Sequence, residues 1–331
     1  TGVPETSIPI YTVQEGPLQL PITLSYHASG LPVLEPAGWV GAGWSLNAGG
    51  VISRSVKGIA DEQVVNNNYS YFGYKGFSNY FLDSEGLIDL DYFIRGLKDG
   101  EPDLFTYSFG SYSGKFYFRE DLTPVLIPEA DVKIEVITKS GPPTYSQEDF
   151  IEGFKATAPD GTKYYFGITT DSGDVDPVEK SRAASATSWP SYPRVISSWY
   201  LYKIESADGY FSINISYRKE EYGYFTVSTK PCLPNCDFSV IPAKILMHGV
   251  AVDKIHFSNG QVEFLGVTLR EDVSRNSGVL QDDANIEAKA LDKIIISSNQ
   301  SEFCKSFIFS YDYFYDNSTT PLPSVLNGNF T

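Results

Sequence analysis

Residues 20–54 read LPITLSYHASGLPVLEPAGWVGAGWSLNAGGVISR. The stretch opens as a strand: Leu20, Ile22 and Leu24 alternate with Pro21, Thr23 and Ser25, giving one apolar and one polar face. From Tyr26 the chain is rich in turn residues, with Gly30, Pro32 and Pro36. Trp39 and Trp44 then bracket Gly41 and Gly43. Two large rings with Cβ-free positions between them let a backbone bend sharply or lie flat on a neighbouring strand. Asn47 to Gly50 forms a second turn, and Val51 to Arg54 resumes an extended run. The stretch predicts two strands joined by an aromatic-clamped corner, with Trp39, Gly41, Gly43, Trp44, Gly49, Gly50 and Arg54 as its structural signature. Arg54 is placed to pair with an acid on a neighbouring strand. A phosphate cradle built on these glycines is disfavoured, because no Gly-Lys-Ser/Thr follows and no helical pattern opens after them.

Outward from the corner, the pattern stays that of strands and turns. Ile8–Val13 is a short strand, and Pro9 marks it as an edge. Asp61–Asn68 is polar and turn-like. Tyr69–Phe81 alternates aromatics with small and polar residues, as a sugar-stacking face or an ordinary sheet would. Leu87–Leu97 is compatible with a short helix that Gly96 and Gly100 would end early. Leu104–Phe109 and Lys115–Phe118 flank a turn over 110–114 and read as a hairpin. Val132–Ile137 alternates as a strand. Phe154–Phe166 is a second hairpin turning at Asp160-Gly161, which supplies the positive φ. Residues 169–189 break the rhythm with Asp171, Asp174, Asp176 and Glu179, read as a solvated acidic loop rather than a Ca²⁺ site, with helical turns over 177–186. The division predicted is a β-rich unit over 1–170, an acidic linker over 171–188 and a second β-rich unit over 189–331. That second unit repeats strand, polar turn, strand: Leu201–Tyr217, a weaker copy over Lys244–Phe257, and Leu291–Tyr311. Lone hairpins are marginal in water, so such units need one another.

The strand Leu24–Tyr26, the run Gly43-Trp44-Ser45-Leu46 and the ending Ile52-Ser53-Arg54 resemble the opening of RHS/YD-repeat proteins of the Bacteroidota type. They are similar, more loosely, to the opening domain of the virulence-plasmid B protein and the toxin-complex B component. Pro102-Asp103-Leu104-Phe105, Tyr112–Phe116, Pro159–Gly167, Ser198-Trp199-Tyr200-Leu201 and Leu291-Asp292-Lys293-Ile294 look like further stations of that region. The chain departs from the family in lacking tyrosine-aspartate repeats, a self-cleavage site and a toxin cargo. The resemblance implies an all-β chain of antiparallel hairpins in an extended or sandwich-like sheet, the start of an RHS-type shell. It further implies a non-enzymatic scaffold that is secreted or held at the cell surface by the type IX route. Its partners would be downstream repeats, other chains or outer-membrane secretion machinery. Aromatic wealth keeps a carbohydrate-binding or adhesive β-sandwich open as an alternative, and a glycoside hydrolase as another.

Composition narrows the rest. An aromatic content of 15%, with 23 Tyr and 21 Phe, favours sheet surfaces. A net charge of −16 repels nucleic acid and anionic membranes. No apolar run approaches membrane-spanning length. The start at Thr1 is not a basic-then-apolar leader, and the chain reads as a piece of a longer polypeptide. Cys232 and Cys236 flank Leu-Pro-Asn. A local disulfide is preferred over half of a zinc site, with Cys304 a buried strand thiol. No metal or cofactor is expected. His27, beside Ser25 and Ser29, lacks a nucleophile elbow. His248 reads as a turn residue and His256 as a strand residue, so no catalytic triad is predicted. Asp160 and Asp208 precede glycines in hairpin turns, and sequence singles out no pair among the 41 acids.

Overall fold

The computed structural model describes residues 4–28, 36–57, 60–62, 64–65, 68–69, 101–119, 121–140, 149–169, 175–184, 195–230, 239–273, 288–299 and 304–313. They form nineteen strands and no helix. Chain order gives β1 (Glu5–Glu15), β2 (Leu18–His27), β3 (Trp44–Asn47), β4 (Gly50–Ser55) and the short β5 (Val64–Val65) and β6 (Asn68–Tyr69). Next come β7 (Leu104–Phe109), β8 (Tyr112–Phe118), β9 (Pro124–Ile127), β10 (Lys133–Thr138), β11 (Ile151–Thr157) and β12 (Lys163–Gly167). The remainder are β13 (Val178–Ala184), β14 (Val195–Glu205), β15 (Ser212–Lys230), β16 (Ser239–Phe257), β17 (Gly260–Leu265), β18 (Lys293–Ser298) and β19 (Cys304–Ile308).

Strands β1, β2 and β3 make a three-stranded antiparallel sheet. Its register places Leu24 between Ile8 and Leu46, and Tyr26 between Thr6 and Trp44. The alternation read from Leu20 to Leu24 is the buried face of β2, and β1 is an edge whose register slips between Pro9 and Tyr11, where proline cannot donate to the ladder. Fourteen strands form the main sheet. Its hub is β14. Residues 195–200 pair with β13 on one side and β4 on the other; residues 201–205 pair with β12 and β15. Because β13 and β15 both also pair with β16, these four strands close a ring.

Two branches leave the hub, β4–β7–β8–β9 and β12–β11–β10, and they face one another. Phe105, Phe116 and Phe118 of the first meet Phe154 of the second, and Trp199 of β14 lies between them, 5.0 Å from Phe154 edge-on and 6.0 Å from Phe105. Each of these rings is shut from solvent, and burial of one phenyl side chain is worth about 1.5–3 kcal/mol. The indole of Trp199 keeps a partner by donating to the Ile151 carbonyl at 3.1 Å. The three-stranded sheet covers another part of the main sheet. Val13, Leu20 and Ile22 join the same connected core as Ile213, Ile255 and Phe264, and Glu15 accepts from the amide and hydroxyl of Ser258, both at 2.7 Å. Residues before and after the 171–188 segment therefore share one core.

Several expectations are corrected. The helical turns expected over 177–186 are not found in its described part, 177–184: Val178–Ala184 is strand β13, hydrogen-bonded to both β14 and β16. The weaker repeat over 244–257 contains no turn; it is one nineteen-residue strand, and His248 lies within it, opposite Glu221 and Lys180. Glu179 is not in a solvated loop but sits on β13, accepting from Ser197 and Tyr200. Cys304 is exposed, because Cys304, Lys305 and Ser306 alternate on the last strand of the path with neither face covered. The aromatic run over 69–81 beyond Tyr69, the helix over 87–97, the carboxylates Asp171 and Asp174, and the Cys232–Cys236 pair lie outside the described residues.

Candidate functional site

The signature stretch divides into a groove and an anchor. In the groove half, two turns follow each other: Gly41 donates to the Gly38 carbonyl at 3.0 Å and Trp44 to the Gly41 carbonyl at 3.3 Å. Gly41 and Gly43 have φ of 102° and 75°, in the left-handed region. A Cβ on Gly43 would stand 2.8 Å from the Tyr26 ring, which itself packs 5.1 Å from Trp44. The corner is thus shaped by backbone sign and by close ring approach together.

Three distant segments clasp it. The Ala37 amide donates to Asp272 at 2.8 Å, and Arg270 donates both to the Ala37 carbonyl and to Asp272. Burial lowers the pKa of Arg270, but the bonds to Asp272 outweigh it, so the guanidinium stays charged. Leu291 donates to the Trp39 carbonyl at 2.8 Å. Tyr311 donates to the Leu291 carbonyl at 2.6 Å; burial pushes its hydroxyl up to about 12, so it remains a donor. Arg218 lies 5.0 Å over the Trp39 ring. Between the clasp and the inner face of β1–β3 runs a groove of about 980 Å³, walled by Tyr26, Trp39, Trp44, Tyr224, Phe309 and Tyr311.

The anchor half is Gly49 to Arg54. Gly50 faces β7 so closely that a Cβ would lie 2.7 Å from Phe109. Gly49 has room, its nearest neighbour being Ile215 at 3.5 Å, so nothing in its surroundings demands glycine. Arg54 is 6% exposed under the Phe105 and Trp199 rings. Its acid partner is not on a neighbouring strand, as the sequence led us to expect, but on the following loop. Nη1 holds both Glu62 oxygens, at 2.6 and 2.5 Å, while Nη2 donates to the Ile196 carbonyl of β14. Asp103, just before β7, stands 3.6 Å from Nη1. Asp61 and Asp103 face each other through reciprocal bonds, each backbone amide donating to the other's carboxylate at 3.1 Å. Asp103 also accepts from the Lys57 amide at 2.8 Å. Burial raises both aspartate pKa values, most strongly at Asp61; Arg54 restrains the rise at Asp103.

This pair is the nearest thing to facing carboxylates, yet Asp61 is 2% and Asp103 0% exposed, so a glycosidic bond has no access to them. Among the described residues no group of three or more His, Cys, Asp or Glu is arranged to hold a metal. His27 and His256 are exposed at the end of β2 and on β16, and His248 stands 3.7 Å from Glu221.

Sequence reasoning brought out the tryptophans and Arg54 but missed Arg270, Asp272, Tyr311 and Glu62. The signal for two other members was present: Asp103 and Asp292 sit in the stations Pro102–Phe105 and Leu291–Ile294, where an acid precedes or interrupts an apolar run. Asp292 turns out to accept from the Val267 and Thr268 amides and the Thr268 hydroxyl. Burial pushes its carboxyl up, but these bonds outweigh it and hold the carboxyl below its usual range. No family model and no curated protein matches the chain.

Proposed function

We propose that the chain is a non-enzymatic β scaffold, the opening part of the wall of a secreted RHS-type shell that encloses or presents a cargo on the same polypeptide. Export to the surface or medium through outer-membrane machinery of the type IX kind belongs to this reading. The observation that carries it is the open end of the main sheet. Hairpins β16 to β19 lie edge to edge, and β19 is exposed along almost its whole length, with Ile308 76% accessible. Among the described residues only β18 pairs with β19, and an edge left open in this way is an aggregation hazard unless another strand continues the sheet. The motif stations support the same reading, since Asp103, Asp292 and Trp199 tie separate segments of the chain together.

Hydrogen exchange tests it. The β19 amides exchange fast in the 331-residue chain and become protected in the polypeptide expressed from the complete gene, where electron microscopy shows a hollow particle. Equally fast exchange in both, or a solid or extended particle, overturns the reading.

The groove favours a second reading, a carbohydrate-binding module. Flat indole and phenol rings at Trp39, Trp44 and Tyr26 are surfaces on which sugar rings stack. Glycan binding would quench or shift tryptophan fluorescence, and a glycan array without hits removes this reading.

A further inference from the structure

Arg54, Asp61, Glu62 and Asp103 are four ionisable groups with almost no contact with water. One positive charge faces three acids. Both Glu62 oxygens accept from Arg54 Nη1, and Asp103 collects two backbone amides besides its approach to Arg54. Among the described residues, Asp61 has no cation in contact and accepts only the one amide of Asp103. The Arg54 Nε, wholly buried, has no acceptor, so the cluster is not a fully satisfied ion network. The charged and titratable groups facing Asp61 are Asp103 from the approach to β7, Glu62 from its own loop and Arg54 from β4. The segments meeting there are the two ends of the β4–β7 connection, and Arg54 links them to β14.

We propose that Asp61 carries a proton in the folded protein and that this proton makes the cluster a pH-dependent fastener, which holds β4 and the foot of the β4–β7 connection to the sheet in acid and loosens in alkali. An unpaired carboxylate in such surroundings is costly, whereas a protonated one can donate toward Asp103. Burial first, and the charge of Asp103 next, lift Asp61 from 3.8 to about 8. The folded protein then holds more protons than the unfolded chain between these values. Stability from this source is complete below 3.8 and is lost as pH rises through about 8. The sign is opposite to that of ordinary acid denaturation.

The test uses the 331-residue chain and Asp61→Asn, whose amide mimics the protonated acid. Above about pH 6, where Asp103 has ionised, the wild-type folding constant from urea titrations falls by up to about tenfold per pH unit until about pH 8. D61N flattens that slope and exceeds the wild type in stability at about pH 9. Infrared spectra of wild-type protein carrying carbon-13 in its aspartate carboxyls give an independent reading that excludes Glu179 and Glu220. A protonated aspartate band is present near pH 7, above the value of about 6 to which burial lifts Asp103, and gone by about pH 9. A wild-type slope retained in D61N, or no protonated aspartate band near pH 7, overturns the proposal. If D61N does not fold, the infrared titration decides alone.

Discussion

Arg54 concentrates more obligations than any other side chain of the corner: two bonds to Glu62, one to the Ile196 carbonyl and two aromatic faces. Arg54→Met keeps the packing but strands Glu62 without its cation, and we expect a loss of about 3–5 kcal/mol in urea denaturation. Arg54→Lys keeps the charge and loses the fork, costing about 1.5–3 kcal/mol. Gly43 and Gly209 separate strain from crowding. Both have φ near +76°, but a Cβ at Gly209 meets nothing within 4 Å. Gly209→Ala is therefore expected to cost about 1–2 kcal/mol, the left-handed penalty alone. Gly43→Ala costs more, because Tyr26 must also move, and the tryptophan emission of Trp44 shifts with it. That Arg54 would find an acid was legible from a lone cation ending an apolar strand. Which acid was not, since Glu62 reaches it through a loop whose path no periodicity records.

At the scale of elements, period-two alternation marked β2, β7 and β8, where one face is more deeply buried than the other. It failed for β13, whose Glu-Lys-Ser-Arg-Ala-Ala sequence has helical propensity; pairing with β14 and β16 overrides that preference. It failed again in β16, where His248-Gly249 resembles a turn but Gly249 lies across from Glu220 in continuous register. The β12–β14 seam carries an ion triad in which Lys203 and Lys163 both donate to Glu205 and hold its carboxyl down at about 2. The folded value lies below the ordinary 4.5, so this stabilisation is present above 4.5 and lost as pH falls through about 2. Glu205→Gln removes it. Both lysines are partly exposed, so we expect a loss of no more than about 1 kcal/mol near neutral pH and none in strong acid, read from thermal melts.

For the whole molecule, the all-β antiparallel class followed from composition and turn spacing, and the structure agrees. The fork at β14 and the ring through β13, β15 and β16 were not legible, because sequence shows which segments extend but not which edges they choose. Among the described residues the same topology leaves β19 with one unpaired edge, and Ile308 stands in water. Light scattering of concentrated wild-type chain is expected to report self-association that Ile308→Lys suppresses, with stability unchanged within about 0.5 kcal/mol, as for surface substitutions generally. Net charge repels copies from one another, so added salt strengthens the association in the wild type.

The clasp on the tryptophan corner also sets an order of events during synthesis. Ala37 waits 235 residues for Asp272, and Trp39 waits 272 for Tyr311. On the ribosome both indoles emerge early and stay unsealed until translation has passed the last described strand. Closure over such separations is slow, and a bare aromatic surface in the meantime is a substrate for chaperones. The tryptophan corner, although made early, is thus sealed late among the described parts of the chain.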